Sequence, residues 1–210
     1  EALMDEFVFM LGPIIVTACA TSIAPAAGVI SGIIFVIIGF PLFVSAKATE
    51  PPASPKRHVD PHPAVIKNKR VQAVVLATTL LGGFFGSIAI VTVAFAEHRG
   101  HQAQSGILLA IWALGSAVAA VANGVIKWKL PSAARFLIFL FALTVLSIPM
   151  LFAHSITWLA VALFFNGFAI APLVINAYGV AEGAVPAEQI TETLTWVVAG
   201  MPMGGAISSA

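Results

Sequence analysis

Runs of about twenty apolar residues fill most of the chain, and twenty is the number a helix needs to cross the hydrocarbon core of a bilayer. Segments such as Ile33-Ile34-Phe35-Val36-Ile37-Ile38 and Phe136-Leu137-Ile138-Phe139-Leu140-Phe141 are apolar on every side. A barrel strand instead alternates apolar and polar residues, because one face meets lipid and the other a lumen. A segment apolar all round can satisfy its own backbone hydrogen bonds in hydrocarbon only as a helix. The expected fold is therefore all-α, a polytopic helical membrane protein. Charge content agrees: 9% of the 210 residues are charged, whereas a water-soluble domain carries about a quarter. A formal net charge of +1 leaves no basic field to attract nucleic acid.

Seven spans are predicted, at roughly 3–21, 26–46, 71–96, 104–126, 133–153, 156–181 and from 192 onward. Both ends of the chain fall within apolar helix, so the sequence reads as a piece of a longer protein. The first run lacks a basic flank and a small-residue cleavage site, and it reads as a span and not as a signal peptide. The lone cysteine, Cys19, lies in that span and reads as a small packing residue.

Cation placement sets the predicted orientation. Lys47, Lys56, Arg57, Lys67, Lys69, Arg70, Lys127, Lys129 and Arg135 fall on one side, and Arg99 alone on the other. By the positive-inside rule the richer side is cytoplasmic. The stretch 47–70 contains Pro51, Pro52, Pro55, Pro61 and Pro63 and too few large apolar residues for a core. It reads as a cytoplasmic linker between two helical units, with two spans before it and five after. The other loops are short, which predicts tightly packed antiparallel neighbours.

A long cytoplasmic loop amid terse connections resembles the major facilitator superfamily, in which two six-helix bundles are joined between the sixth and seventh helices. The resemblance implies that seven of twelve helices are present, family helices five to eleven. Residues 1–46 would close the N-terminal bundle, 47–70 would be the linker, and 71–210 would form a truncated C-terminal bundle. In the first span, Asp5-Glu6 precede Gly12-Pro13, a pair that resembles the core of the family's antiporter motif without its further glycines. The seventh span shows a faint echo in Glu188, Glu192, Gly200 and Pro202.

Ionisable groups inside a span are costly and mark candidate chemistry. Asp5 and Glu6 are the proton-coupling or gating candidates; the alternative is an interfacial role at a helix N-terminus. Asn166, Asn176, Tyr178 and Trp112 are the substrate-contact candidates. Asn166 is preferred because it lies near mid-span, with bonding between helices as the alternative. Phe84 and Phe85 suit an apolar cavity wall. Gly12, Pro13, Gly82, Gly86, Gly167, Pro172 and Pro202 are candidates for bends or close helix contact, with the bend in the sixth span expected at Ala169 to Pro172. The cations fall at span ends, which weighs against an anionic substrate. His58, Asp60 and His62, like Glu97, His98 and His101, offer too little for a metal site. No phosphate loop or nucleophile elbow is present, so neither an enzyme nor a cofactor is expected.

The function these features imply is a secondary transporter in the cytoplasmic membrane, moving a small molecule by alternating access with proton-coupled efflux. Its partners would be the lipid bilayer, the substrate and protons. An uptake permease of the same fold and a non-transporting membrane subunit, such as an ABC permease partner, are the alternatives. The orientation is directly testable. With Cys19→Ala as background, Lys56→Cys should react with a membrane-impermeant maleimide in everted vesicles and stay unlabelled in intact cells. Labelling in intact cells would invert the topology.

Overall fold

The computed structural model describes residues 2–46 and 64–209, with the side chains of residues 2–10 and of Pro13 outside the described set. The helices are α1 (Ala2–Ser22), α2 (Pro25–Ser45), α3 (Lys69–His98), α4 (Ser105–Val125), α5 (Ser132–Ser147), α6 (Ile156–Gly167), α7 (Ile170–Glu182) and α8 (Ile190–Ser208). No strand occurs among the described residues, as the uniformly apolar runs require. Among the described residues, five helical stretches are long and apolar enough to cross a membrane: Pro25–Ser45, Lys69–His98, Gln102–Val125, Ser132–Phe152 and Ile156–Glu182.

Local chemistry explains where these helices start and stop. Pro25 supplies the first turn of α2, where its missing N–H costs nothing. Asn68 caps α3 by accepting from the Arg70 amide at 2.9 Å. Its Nδ2 donates to the Ala184 carbonyl at 2.8 Å, which ties the start of α3 to the turn before α8. Ser155 caps α6 through the Trp158 amide at 3.1 Å. Pro149 ends the α-helical part of the fifth span, which continues as a 3₁₀ turn over Ile148–Phe152. Trp158 Nε1 donates to the Pro149 carbonyl at 2.9 Å and locks that turn to α6.

The sixth span is two helices. Phe168 and Ala169 donate to the carbonyls of Phe165 and Asn166 at 3.1 and 3.2 Å, tightening the end of α6 into an i→i+3 pattern. Pro172 has no N–H to return to Phe168. Ala171 donates sideways to Ser116 Oγ on α4 at 3.1 Å. The bend thus falls where Gly167 and Pro172 bracket it. By contrast α1 continues as one helix through Gly12 and Pro13, and α8 through Pro202.

Packing does not follow chain order. The most extensive interface joins α3 to α8, followed by α1 with α4, α4 with α6, and α5 with α7. Short loops do make α1 and α2 an antiparallel hairpin. The expectation that sequence neighbours pack most tightly fails elsewhere, because close approach depends on small residues facing each other, not on loop length. Gly200 lies beside Val75 and Thr78, Gly204 beside Thr79 and Gly83, and Gly86 beside Gly205 and Ser208, so α3 and α8 run parallel. A Cβ at Gly82 would fall onto the Met201 backbone, and one at Gly204 onto the Thr79 carbonyl. The α4–α6 pair is built the same way: a Cβ at Gly115 would meet the Phe164 carbonyl, and one at Gly167 the Trp112 carbonyl. Gly28 approaches Val16 O at 3.1 Å in the α1–α2 hairpin, while Gly12 and Gly32 have nothing within 4 Å among the described residues.

Outside these seams the surface is apolar. Along α2, every residue from Ile33 to Val44 is exposed, a surface suited to lipid and not to water. Gly82→Ala should lower stability in detergent by about 1–3 kcal/mol through overpacking. Gly32→Ala should be neutral or gain about 0.5–1 kcal/mol, since only helix propensity changes. Thermal unfolding of the two variants side by side checks the α3–α8 seam; equal melting temperatures would refute it.

Candidate functional site

A cavity of about 1160 Å³ lies among α3, α4, α5, α7 and α8. Its deep wall is apolar and aromatic: Phe85 from α3, Trp112 from α4, Ile170 and Val174 from α7, Met201 from α8. It extends along α7 as far as Gly179 and Glu182, where Ser132 and Arg135 from the start of α5 also border it. That end of the helices is the one where Lys127 and Lys129 follow α4. The cavity exists because the seam residues differ in size on their two sides. Glycines bring α3 to α8 and α4 to α6, and the large side chains are turned into the space between the two pairs.

Trp112 is the best fixed of the wall residues. Its ring stands edge-on to Phe85 at 5.1 Å and to Phe84 at 6.5 Å, an arrangement favoured by the ring quadrupoles. Its Nε1 donates to Asn166 Oδ1 at 2.9 Å, and Asn166 Nδ2 donates to Ser147 Oγ at 3.0 Å. Ser147 Oγ in turn donates to the Leu143 carbonyl at 2.7 Å. This chain of bonds joins α4, α6 and α5 in the interior, where each bond is shielded from water. Asn166 is 0% exposed and does not border the cavity. Both ends of its amide are engaged between helices, and its link to the cavity wall is the bond to the Trp112 indole.

Asn176 and Tyr178 do border the cavity. Asn176 is 1% exposed; its Nδ2 donates to the Pro172 carbonyl at 2.7 Å, and its Oδ1 has no partner among the described residues. Ser116, which sequence reasoning passed over, lines the cavity while its hydroxyl accepts from Ala171 at the bend. Gly86 forms part of the wall, whereas Gly82 and Gly167 lie in the seams behind it. Pro172 is buried at the bend, and Pro202 is exposed on α8.

Arg135, at the start of the predicted fifth span, is a cation on the cavity lining. It sits in the first turn of α5 and is only part-exposed; it borders the cavity, donates from Nη2 to Ser132 Oγ at 3.2 Å, and lies 5.7 Å from the Trp128 ring centroid. Its position at a span end hid this, since an interfacial arginine and a cavity arginine have the same sequence context. The described residues contain no group of three or more potential metal ligands. The side chains of Asp5 and Glu6, and the linker histidines, lie outside the described residues. Helix α1 packs on α4 and also touches the turn Gln102–Gln104.

No curated protein and no solved structure matches the chain. The sequence model of the Major Facilitator Superfamily matches residues 2–209, nearly the whole chain. A bundle of membrane-crossing helices around an apolar cavity, coupled with that match, leads to one conclusion: the chain belongs to the Major Facilitator Superfamily of membrane transporters.

Proposed function

We propose that the chain forms the larger part of a secondary transporter that carries a small molecule across the cytoplasmic membrane by alternating access, with efflux driven by proton exchange. The cavity among α3, α4, α7 and α8 carries this reading: its volume suits a drug-sized or metabolite-sized ligand, and its walls are apolar with a few polar groups at one end. On the predicted topology the polar end faces the cytoplasm together with the 47–70 linker. A cavity with its polar groups on that side is placed to load from inside the cell, which favours export. Gly12-Pro13 in α1 supports antiport by its likeness to the family's motif, and Asp5 and Glu6 are the carboxylates proposed to carry or gate the proton.

The bend between α6 and α7 gives the cavity wall a joint. Breaking the helix at Phe168 frees α7 from a rigid continuation of α6, and the Ser116 bond marks where it is held. Rocking of bundles around a fixed site is the motion such discontinuous helices serve.

In everted vesicles carrying the full-length protein, adding substrate should dissipate an imposed proton gradient. A broad panel of drugs and metabolites that never did so would remove antiport. Asn166→Leu should lower the transport rate, because the Trp112 indole N–H loses its acceptor and the ring loses its fixed pose. The unmet group costs about 1–3 kcal/mol, measurable as a lower melting temperature in detergent. Unchanged transport and stability would show that the Trp112–Asn166 bond is dispensable.

A further inference from the structure

Resting on the transporter reading and deepening it, we propose that the cavity takes a zwitterion: a molecule with an apolar body and, at one end, both an amine and a carboxylate, as in an α-amino acid with a large apolar side chain. Two buried polar atoms at the polar end carry this assignment. Arg135 Nε and Asn176 Oδ1 both lack a hydrogen-bond partner among the described residues, and both residues border the cavity. One is a donor and the other an acceptor, so a head group that only donates or only accepts meets just one of them.

Each atom's character is set by what the rest of its side chain already does. Asn176 spends its NH₂ on the Pro172 carbonyl, which leaves only the amide oxygen to answer a ligand N–H. Arg135 spends one terminal nitrogen on Ser132 Oγ and sets its guanidinium plane by Trp128. Its Nε–H remains, on a group that is always charged and donates only. Glu182 supplies the opposite charge on the same lining and is exposed at the mouth. The lining charges therefore sum to zero, from one cation and one anion. A simple organic cation would leave the Arg135 charge unmatched, and a simple anion would leave the Asn176 oxygen without a donor. A carboxylate on Arg135 and an ammonium on Asn176 satisfy both unmet atoms, and the zwitterion leaves the neutral lining neutral. The apolar body then lies against Trp112 and Phe85.

The test uses the full-length protein in proteoliposomes, with labelled L-phenylalanine exchanged against internal L-phenylalanine, and phenethylamine and 3-phenylpropionate as competitors lacking one charge each. Phenylalanine should exchange, and each competitor should bind about tenfold more weakly or worse, since a site built for a polar group rejects the analogue that lacks it. Arg135→Gln should weaken phenylalanine about tenfold while leaving phenethylamine unchanged, which also shows that the variant is folded. Should that variant fail to fold, the competitor series on the unaltered protein still decides. Phenethylamine or 3-phenylpropionate binding as tightly as phenylalanine overturns the zwitterion. So does a protein that exchanges some other, singly charged or neutral compound but not phenylalanine, and in that case the transporter reading survives. Exchange of no compound in any panel overturns both.

Discussion

Hydrocarbon offers a backbone N–H or C=O no water to bond, and nearly every feature of this chain follows from that. Each crossing segment must pair its own amides, so the described spans are helices and their ends coincide with caps, prolines or 3₁₀ turns. One place departs from the rule inside the bundle. Between Gly167 and Pro172 the ladder is interrupted, and the side chain of Ser116 on a neighbouring helix takes up the Ala171 amide. Irregular backbone at membrane depth survives only where protein or a cavity surrounds it, and here it borders the cavity.

The same solvent removes the usual reason for helices to associate, because lipid tails are as apolar as leucine. What remains is close van der Waals fit and a few buried hydrogen bonds. Glycines at 82, 86, 200 and 204 supply the fit between α3 and α8, and Gly115 and Gly167 do so between α4 and α6. The hydrogen bonds run from Trp112 through Asn166 to Ser147 and join three helices behind the cavity wall. Seams of small residues and a wall of large ones are complementary: drawing α3 onto α8 and α4 onto α6 leaves a space that Phe85, Trp112 and Met201 line without filling.

Much of the site was legible as residue types and little of it as roles. Trp112, Asn176 and Tyr178 stand out in the sequence as polar or aromatic residues in apolar runs, and all three border the cavity. Asn166 stands out for the same reason yet lies behind the wall, engaged at both ends of its amide. Mid-span depth distinguishes it from a loop residue but not from a structural amide. Arg135 was legible only as a topogenic charge, since the run of residues in one helix does not record whether a guanidinium at its start turns outward to headgroups or inward to a cavity. Ser116 and Gly115 carry no sequence signal beyond being small.

Helical state and the uneven placement of cations were determined by the sequence alone, because each rests on local physics: backbone self-satisfaction and charge at the span ends. The break in the sixth span belongs with them, since Pro172 removes an amide wherever it sits. Only the tertiary structure decided which helices touch, that the two glycine seams join parallel and non-consecutive helices, and which side of each polar residue meets the cavity. Those outcomes depend on the fit of surfaces far apart in the chain, and no periodicity within one helix records the shape of its partner.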